Sequence, residues 1–253
     1  MAERPKSSRQ YLQDLESHSS VCAGALSRHD KTMYAVKSEI ARSIRYFAPN
    51  ASSLLEVGAD EGWQTLVYRS ALSNPTRTVA YDWQDRLRDN VREAGVEFQR
   101  VDIEVDDFPD KDGSFDLVVC NQVLEHIKNI YRPLTEMHRV LKDGGLLLLS
   151  VPNMCALHNC ALILFGRQPT TISLSGSHVR GYAVHSMSRF LTGNGHFRLR
   201  KLIGFGLHPF TSASLPGFLK TYCHTPLWVL QKQLASSSTW AEERARDFTT
   251  TKF

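Results

Sequence analysis

The chain has 253 residues, 42% of them hydrophobic, and a formal net charge of +4. That length and apolar content can fill a complete core in one or two domains, and basic residues scattered among acids leave no stripe of the kind nucleic acid requires. The cysteines Cys22, Cys120, Cys155, Cys160 and Cys223 are few, odd in number and without a disulfide framework, which fits a reducing, cytoplasmic compartment.

Residues 1–30 are polar and read as a flexible N-terminal segment. Met1 to Gln10 has charges but no apolar run behind them, unlike a secretory signal. From Lys31 to Phe47, Met33, Val36, Ile40, Ile44 and Phe47 recur at the helical period, so a helix covering one sheet edge is expected. Strands are expected at 53–57, 77–82, 97–102, 115–120 and 145–151. They alternate with helices near 62–72, 84–94 and 131–141, the last one stopped by Gly144-Gly145. This alternation predicts an α/β fold, a doubly wound and mostly parallel sheet with helices on both faces.

After Asn153 the alternation lapses. A short helix, a loop rich in Ser and Gly, a helix over His185 to Leu191 and a strand over Phe197 to Gly204 are expected. The apolar run from Cys155 to Phe165 contains His158 and Asn159 and is too short to span a bilayer. Cys155, His158 and Cys160 lack a second ligand pair and read as buried apolar thiols beside a histidine rather than a metal site. Residues 216–234 carry Leu219, Tyr222, Trp228, Val229 and Leu234. Pro226 interrupts an interfacial helix there, and packing against the domain is the expectation. Residues 235–253 read as a polar tail, leaving 31–234 as the domain.

Chemistry concentrates at the strand ends. Leu54, Leu55 and Val57 form a buried strand with Glu56 near its carboxyl end, and Gly58 and Gly62 bound the turn that follows. Glycine there lets a ligand approach bare backbone. The next strand ends in Asp82, and an acid at that place can hold two ribose hydroxyls. A dinucleotide fingerprint, Gly-x-Gly-x-x-Gly, fails at Asp60 and Trp63, and Asp60 and Glu61 would repel a pyrophosphate. The acidic turn suits a ligand carrying an amino group and a sulfonium cation.

The stretch from Leu54 to Asn153 resembles the core of the class I S-adenosylmethionine-dependent methyltransferases, and most of all their small-molecule subgroup. The resemblance rests on the Glu56–Gly62 turn, on Phe108-Pro109-Asp110 through Leu124-Glu125-His126, and on Arg139-Val140-Leu141 through Val151-Pro152-Asn153. Asp60 departs from the pattern, since the family usually has a middle glycine there. The resemblance implies a Rossmann-like, seven-stranded sheet, a cofactor half at 52–153 and a substrate-capping region at 154–195. The seventh strand, expected near His208 to Ser212 or beyond, has no clear place in the sequence.

By the same resemblance the cofactor set is Glu56, Gly58, Ala59, Gly62, Asp82, Trp83, Asp102, Ile103 and Asn121. Glu56 would face the amino group of the methionine part, or cap backbone amides. Asp82 would hold the ribose, or cap the helix 84–94. Trp83 would lie along the adenine, or be a surface aromatic. Asp102 would take the adenine amino group with Ile103 on the ring face, or be one solvated acid among Glu104, Asp106 and Asp107. Asn121 would line the channel to the acceptor, or serve the turn. His126 and His178 are the candidate catalytic residues, His178 within Gly-x-His-x-Arg-x-Tyr; structural and solvent-facing roles compete.

Orientation alone supplies roughly 7–11 kcal/mol of barrier reduction in such a transfer, so a base is not obligatory. The Asn-Pro-Pro-Tyr motif used on nucleobase amines is missing after the fourth strand, which favours an oxygen, carbon or aliphatic nitrogen acceptor, with oxygen the expectation, on a small molecule, glycan or lipid intermediate. No Asp/Asn set like that of catechol methyltransferases is evident, so metal independence is expected. Partners are then the acceptor, with no nucleic acid and no integral membrane segment, and a second copy of the chain if it forms a homodimer. The alternative is a non-catalytic relative that keeps the fold as a binding or scaffold module.

Overall fold

The computed structural model describes residues 27–233; residues 1–26 of the expected N-terminal segment and the tail 235–253 lie outside the described residues. Helix α1 (Arg28–Phe47) starts three residues ahead of Lys31 because Ser27 and Asp30 form a capping box. The Ser27 hydroxyl accepts from the Asp30 amide, and the Asp30 carboxylate accepts from the Ser27 amide. Strand β1 (Ser53–Val57) leads through a glycine-bounded turn into α2 (Trp63–Arg69), then come β2 (Arg77–Asp82), α3 (Asp89–Glu93) and β3 (Glu97–Arg100). The second half begins with β4 (Phe115–Asn121), α4 (Tyr131–Val140) and β5 (Leu141–Ser150). It continues with α5 (Leu157–Leu164), α6 (Val184–Thr192), β6 (Phe197–Leu207), β7 (Thr211–Leu215) and β8 (Thr225–Lys232).

These strands form one eight-stranded sheet in the order β3-β2-β1-β4-β5-β8-β6-β7. The first five are parallel, β8 runs antiparallel between β5 and β6, and β7 pairs antiparallel with β6 at the edge. The expected doubly wound α/β architecture is present, with one strand more than expected. Successive residues of a strand point to opposite faces. On one face Leu54, Leu117, Leu146, Leu148 and Leu227 pack under α1 through Val36, Ile40 and Ile44. On the other, Leu55, Val118, Leu147, Leu149 and Trp228 meet Leu134 and Met137 of α4 and Met187 and Leu191 of α6. Helix α1 thus lies across a sheet face and also against the edge strand β7.

Two expectations are corrected. Gly144 and Gly145 do not stop a helix: α4 ends at Val140 and the pair sits inside β5. The ladder to β4 slips there, from Phe115↔Leu141 to Leu117↔Leu146, and Gly144 takes φ +74°. Helix α3 is far shorter than 84–94, because Asp82 and Gln84 form a local turn and the chain becomes helical only after Arg88. Residues 225–232 pack against the domain as expected, and they do so as an interior strand; Trp228 is fully buried, paired with Leu149 on one side and Leu202 on the other. Among the described residues no helix is long and apolar enough to cross a membrane.

Candidate active site

The direction of strand order reverses at β1, between β2 and β4, and in such sheets ligands bind beyond the strand ends at that point. A cleft of about 710 Å³ lies there, within the size range of small-molecule sites. Its walls come from four strand exits: Gly58 and Asp60 after β1, Asp82, Trp83 and Arg86 at β2, Val101, Asp102 and Ile103 after β3, and Gln122, Val123, His126 and Ile127 after β4.

The turn after β1 is shaped by left-handed backbone. Gly58 has φ +78°, and a Cβ there would come within 2.3 Å of Val123 Cγ2. Gly62 has φ +82°, and a Cβ would meet Leu87 Cδ1 at 2.4 Å, so this glycine lets α2 close against the Leu87–Val91 segment. Asp60 has φ +49°, a conformation that Asp tolerates better than most residues. Its amide donates to Asp82 Oδ2 at 2.9 Å. The departure from the usual middle glycine is therefore accommodated by the backbone and locked by the neighbouring strand.

Asp82 also accepts from the Gln84 amide through Oδ1 at 3.1 Å. It caps no helix, since α3 takes Arg88 as its N-cap. A carboxylate has about four lone-pair sites, so two remain for a ligand in the cleft. Asp102 stands at the next exit, exposed, with Oδ1 taking the Glu104 amide at 3.0 Å. Ile103 beside it is buried and Trp83 is 61% exposed, both in the cleft wall.

Glu56, Ala59, Gly62 and Asn121 do not line the cleft but stand behind it. Ala59 is buried among Leu66, Leu87 and Val91, and its amide holds the Tyr81 carbonyl. Glu56 is fully buried, with Oε2 taking the Thr65 hydroxyl and Oε1 taking nothing. Burial pushes its carboxyl up to about 8, against the opposing pull of the Thr65 hydrogen bond and the Lys37 ammonium. Asn121, the last residue of β4, leaves its buried Oδ1 without a partner as well, while Nδ2 donates to the Tyr68 hydroxyl at 3.5 Å. Two orphaned acceptors on neighbouring strand ends suit a ligand with an ammonium group, which brings three donors and no acceptor. The residues present therefore fit the amino-acid part of the cofactor that the sequence resemblance implies.

On the far side of the cleft, a single 3-10 turn at Leu124–His126 faces the loop 177–182. Val179 and Arg180 amides donate to the Glu125 carbonyl at 2.8 and 3.2 Å, Arg180 Nε to the Lys128 carbonyl at 2.7 Å, and the Tyr182 hydroxyl to the Leu124 carbonyl at 2.9 Å. The cation and the phenol of the Gly-x-His-x-Arg-x-Tyr pattern thus dock the loop. That docking sets His178 edge-on against His126, ring centroids 4.8 Å apart. His126 and Ser177 line the cleft and His178 lies behind them. Burial first, then the neighbouring imidazole, lowers the His126 pKa below its usual value, so the ring is neutral at pH 7.

Sequence reasoning missed Asp60, Arg86, Val101, Gln122, Val123, Ile127 and Ser177 as wall residues. Gln122 takes φ +60° and ties Nε2 to Ser150 Oγ at 2.9 Å; nothing in its type signals that. The one available signal for Val123 was Gly58, whose missing Cβ marks a close neighbour. Cys155 and Cys160 are half-buried and Cys120 and Cys223 buried.

Residues 31–195 match the sequence profile of the family described as "Methyltransferase domain". A highly reducing polyketide synthase of Aspergillus niger is 35% identical over 130 residues, which is 44% of this chain and 5% of that protein. The "Probable S-adenosylmethionine-dependent methyltransferase" of Mycolicibacterium smegmatis is 32% identical over 103 residues, 40% of this chain and 38% of that one. The match thus spans well under half of either relative. Among solved structures, a SAM-dependent methyltransferase from Thermotoga maritima superposes with a TM-score of 0.58 at 16% identity, covering 80% of this chain and 92% of the other, a likeness of fold.

Proposed function

The chain belongs to the methyltransferase-domain family of class I S-adenosylmethionine-dependent proteins, and from that premise we propose that it methylates a small-molecule, glycan or lipid-intermediate acceptor through oxygen. One observation carries the reading: Asp60, Asp82 and Asp102, at the exits of β1, β2 and β3, line one cleft at the strand-order reversal, with Glu56 and Asn121 standing behind its wall. S-adenosylmethionine, when bound, supplies a methyl group already activated for displacement. Glu56 and Asn121 would hold its ammonium group, Gly58 would admit it to bare backbone, and Asp82 would take the ribose hydroxyls. Asp102 would take the adenine amino group, with Trp83 and Ile103 along the base. His126 and His178 are the acceptor-side groups. Their imidazole lone pairs can take the hydrogen bond, and then the proton, of an acceptor hydroxyl. Fixing that hydroxyl in line with the methyl group is the larger contribution.

A polyketide-type acceptor is the second reading, supported by the 35% identity to the polyketide synthase segment. Calorimetry with S-adenosylhomocysteine tests the cofactor assignment; one site per chain is expected, and no heat at high-micromolar ligand would sink it. Transfer of labelled methyl from S-adenosylmethionine to a panel of alcohols, glycans, lipid intermediates and polyketide chains then separates the acceptors.

A further inference from the structure

Glu125 is 1% exposed, and its Oε2 has no hydrogen-bond partner. A buried carboxylate oxygen left this way costs folding energy unless something else meets it. Two histidines stand near it: one ligand-capable atom each from Glu125, His126 and His178 lie within 4.8 Å of one another. The two imidazoles are held as metal-binding imidazoles are held. His126 Nδ1 lies 3.3 Å from the Ser177 carbonyl, and His178 Nδ1 lies 2.9 Å from the Thr171 carbonyl. A carbonyl only accepts, so each Nδ1 carries the proton and each Nε2 keeps its lone pair. A ring N–H given to a backbone carbonyl is the usual outer support of a histidine ligand, fixing tautomer and orientation.

We propose that Glu125, His126 and His178 bind one divalent transition-metal ion of the zinc class, at the acceptor side of the cleft. Two nitrogens and one carboxylate favour such an ion over Mg²⁺, whose preference is for oxygen ligands. Three protein ligands also leave a coordination position open, the mark of sites that do more than brace the fold. His126 and Ser177 belong to the cleft wall, so that open position would face the acceptor. Metal–ligand distances of about 2.0–2.1 Å put tetrahedral ligands roughly 3.3 Å apart. The cluster must therefore contract by up to about 1.5 Å, most of it by His126, which stands exposed on a short 3-10 turn. The four bonds that dock loop 177–182 onto residues 124–128 keep the other two ligands in place. The inference deepens the acceptor-side reading above and rests on it. The lone pairs assigned there to an acceptor proton would hold a cation, and the expected metal independence would not stand.

The test uses the full chain, freed of metal by chelation and titrated with Zn²⁺ by equilibrium dialysis and with Co²⁺ by visible absorption. Expected are one ion per chain and a Co²⁺ band of low-symmetry coordination. His178→Ala and Glu125→Gln should each weaken binding by at least about tenfold, the lower bound seen when even an outer partner of a ligand is lost. His126→Ala, at an exposed position, gives the same loss without a folding risk. S-adenosylhomocysteine is titrated in parallel. Metal uptake lost in the variants with its affinity unchanged supports the site. A wild type that takes up no ion, or variants that bind as the wild type does, overturns the site alone. Failure of the nucleoside titration instead overturns the cofactor reading while the metal result stays readable.

Discussion

The Glu56 carboxyl, raised to about 8 by burial, makes cofactor binding depend on pH in a calculable way. At pH 7 about nine in ten free molecules carry it protonated, so an incoming ammonium group must expel close to one proton. A raised carboxyl is charged only above its folded value, so affinity climbs as pH rises toward 8 and levels off beyond. From pH 6 to 8 the ionised fraction grows roughly 50-fold, about 2.3 kcal/mol. The assay is calorimetry with S-adenosylhomocysteine at both pH values, and at pH 7 in two buffers of different ionisation enthalpy to count the proton. Glu56→Gln cannot ionise: it should bind at pH 8 more weakly by about 1.5–3 kcal/mol, the range for a hydrogen bond to a charged group, and show no slope. A flat wild-type profile with no proton released, or the same slope in Glu56→Gln, removes Glu56 from the ammonium.

Asp82→Ala should weaken S-adenosylhomocysteine by about 1.5–3 kcal/mol, since it removes the proposed ribose ligand and frees the Asp60 amide; unchanged affinity would clear Asp82 of the ribose. Asn153 is fully buried, giving Nδ2 to the Thr221 and Cys223 carbonyls and taking the Cys155 amide. Asn153→Ala leaves all three unmet and should cost about 2–4 kcal/mol, seen as a melting point lower by roughly 4–16 °C. His224 stacks on His208 and His158 at 4.3 and 5.7 Å with the edge of His29 at 5.4 Å, and burial, with those neighbours, pushes its pKa down to about 3. The unfolded chain takes up that proton first, so stability is intact above about 6.5 and falls by about 2 kcal/mol by pH 5. Urea midpoints between pH 7 and 5 should converge for wild type and His224→Gln as the pH falls; parallel lines would contradict the assignment.

Legibility followed burial. The strands β1, β2 and β4 were readable because short apolar runs end in Gly58, Asp82 and Asn121, residues that break or turn a chain. β8 was not, because Leu227 to Leu230 is buried on both faces and such a run shows neither period. Gly144 carries the same letter whether it stops a helix or bulges a strand; the pairing of Leu141 with Phe115 decided it. In the site, Asp82 and Asp102 could be placed because strand ends converge by topology. The fitness of Asp60 for its turn depended on a backbone angle, and the importance of Glu125 on a missing partner; neither is written in residue type. His126 and His178 were singled out separately, and only the docked loop brings their rings together.

The position of β8 carries a consequence for how this molecule is made. Residues 225–232 separate β5 from β6, yet a ribosome emits them after every other described strand. Until they emerge, two neighbours wait with bare backbone edges and an apolar hole where Trp228 belongs, a state prone to self-association. A nascent chain halted at residue 223 should therefore aggregate or be retained by chaperones, and a soluble, monomeric product of that length would speak against so late a closure.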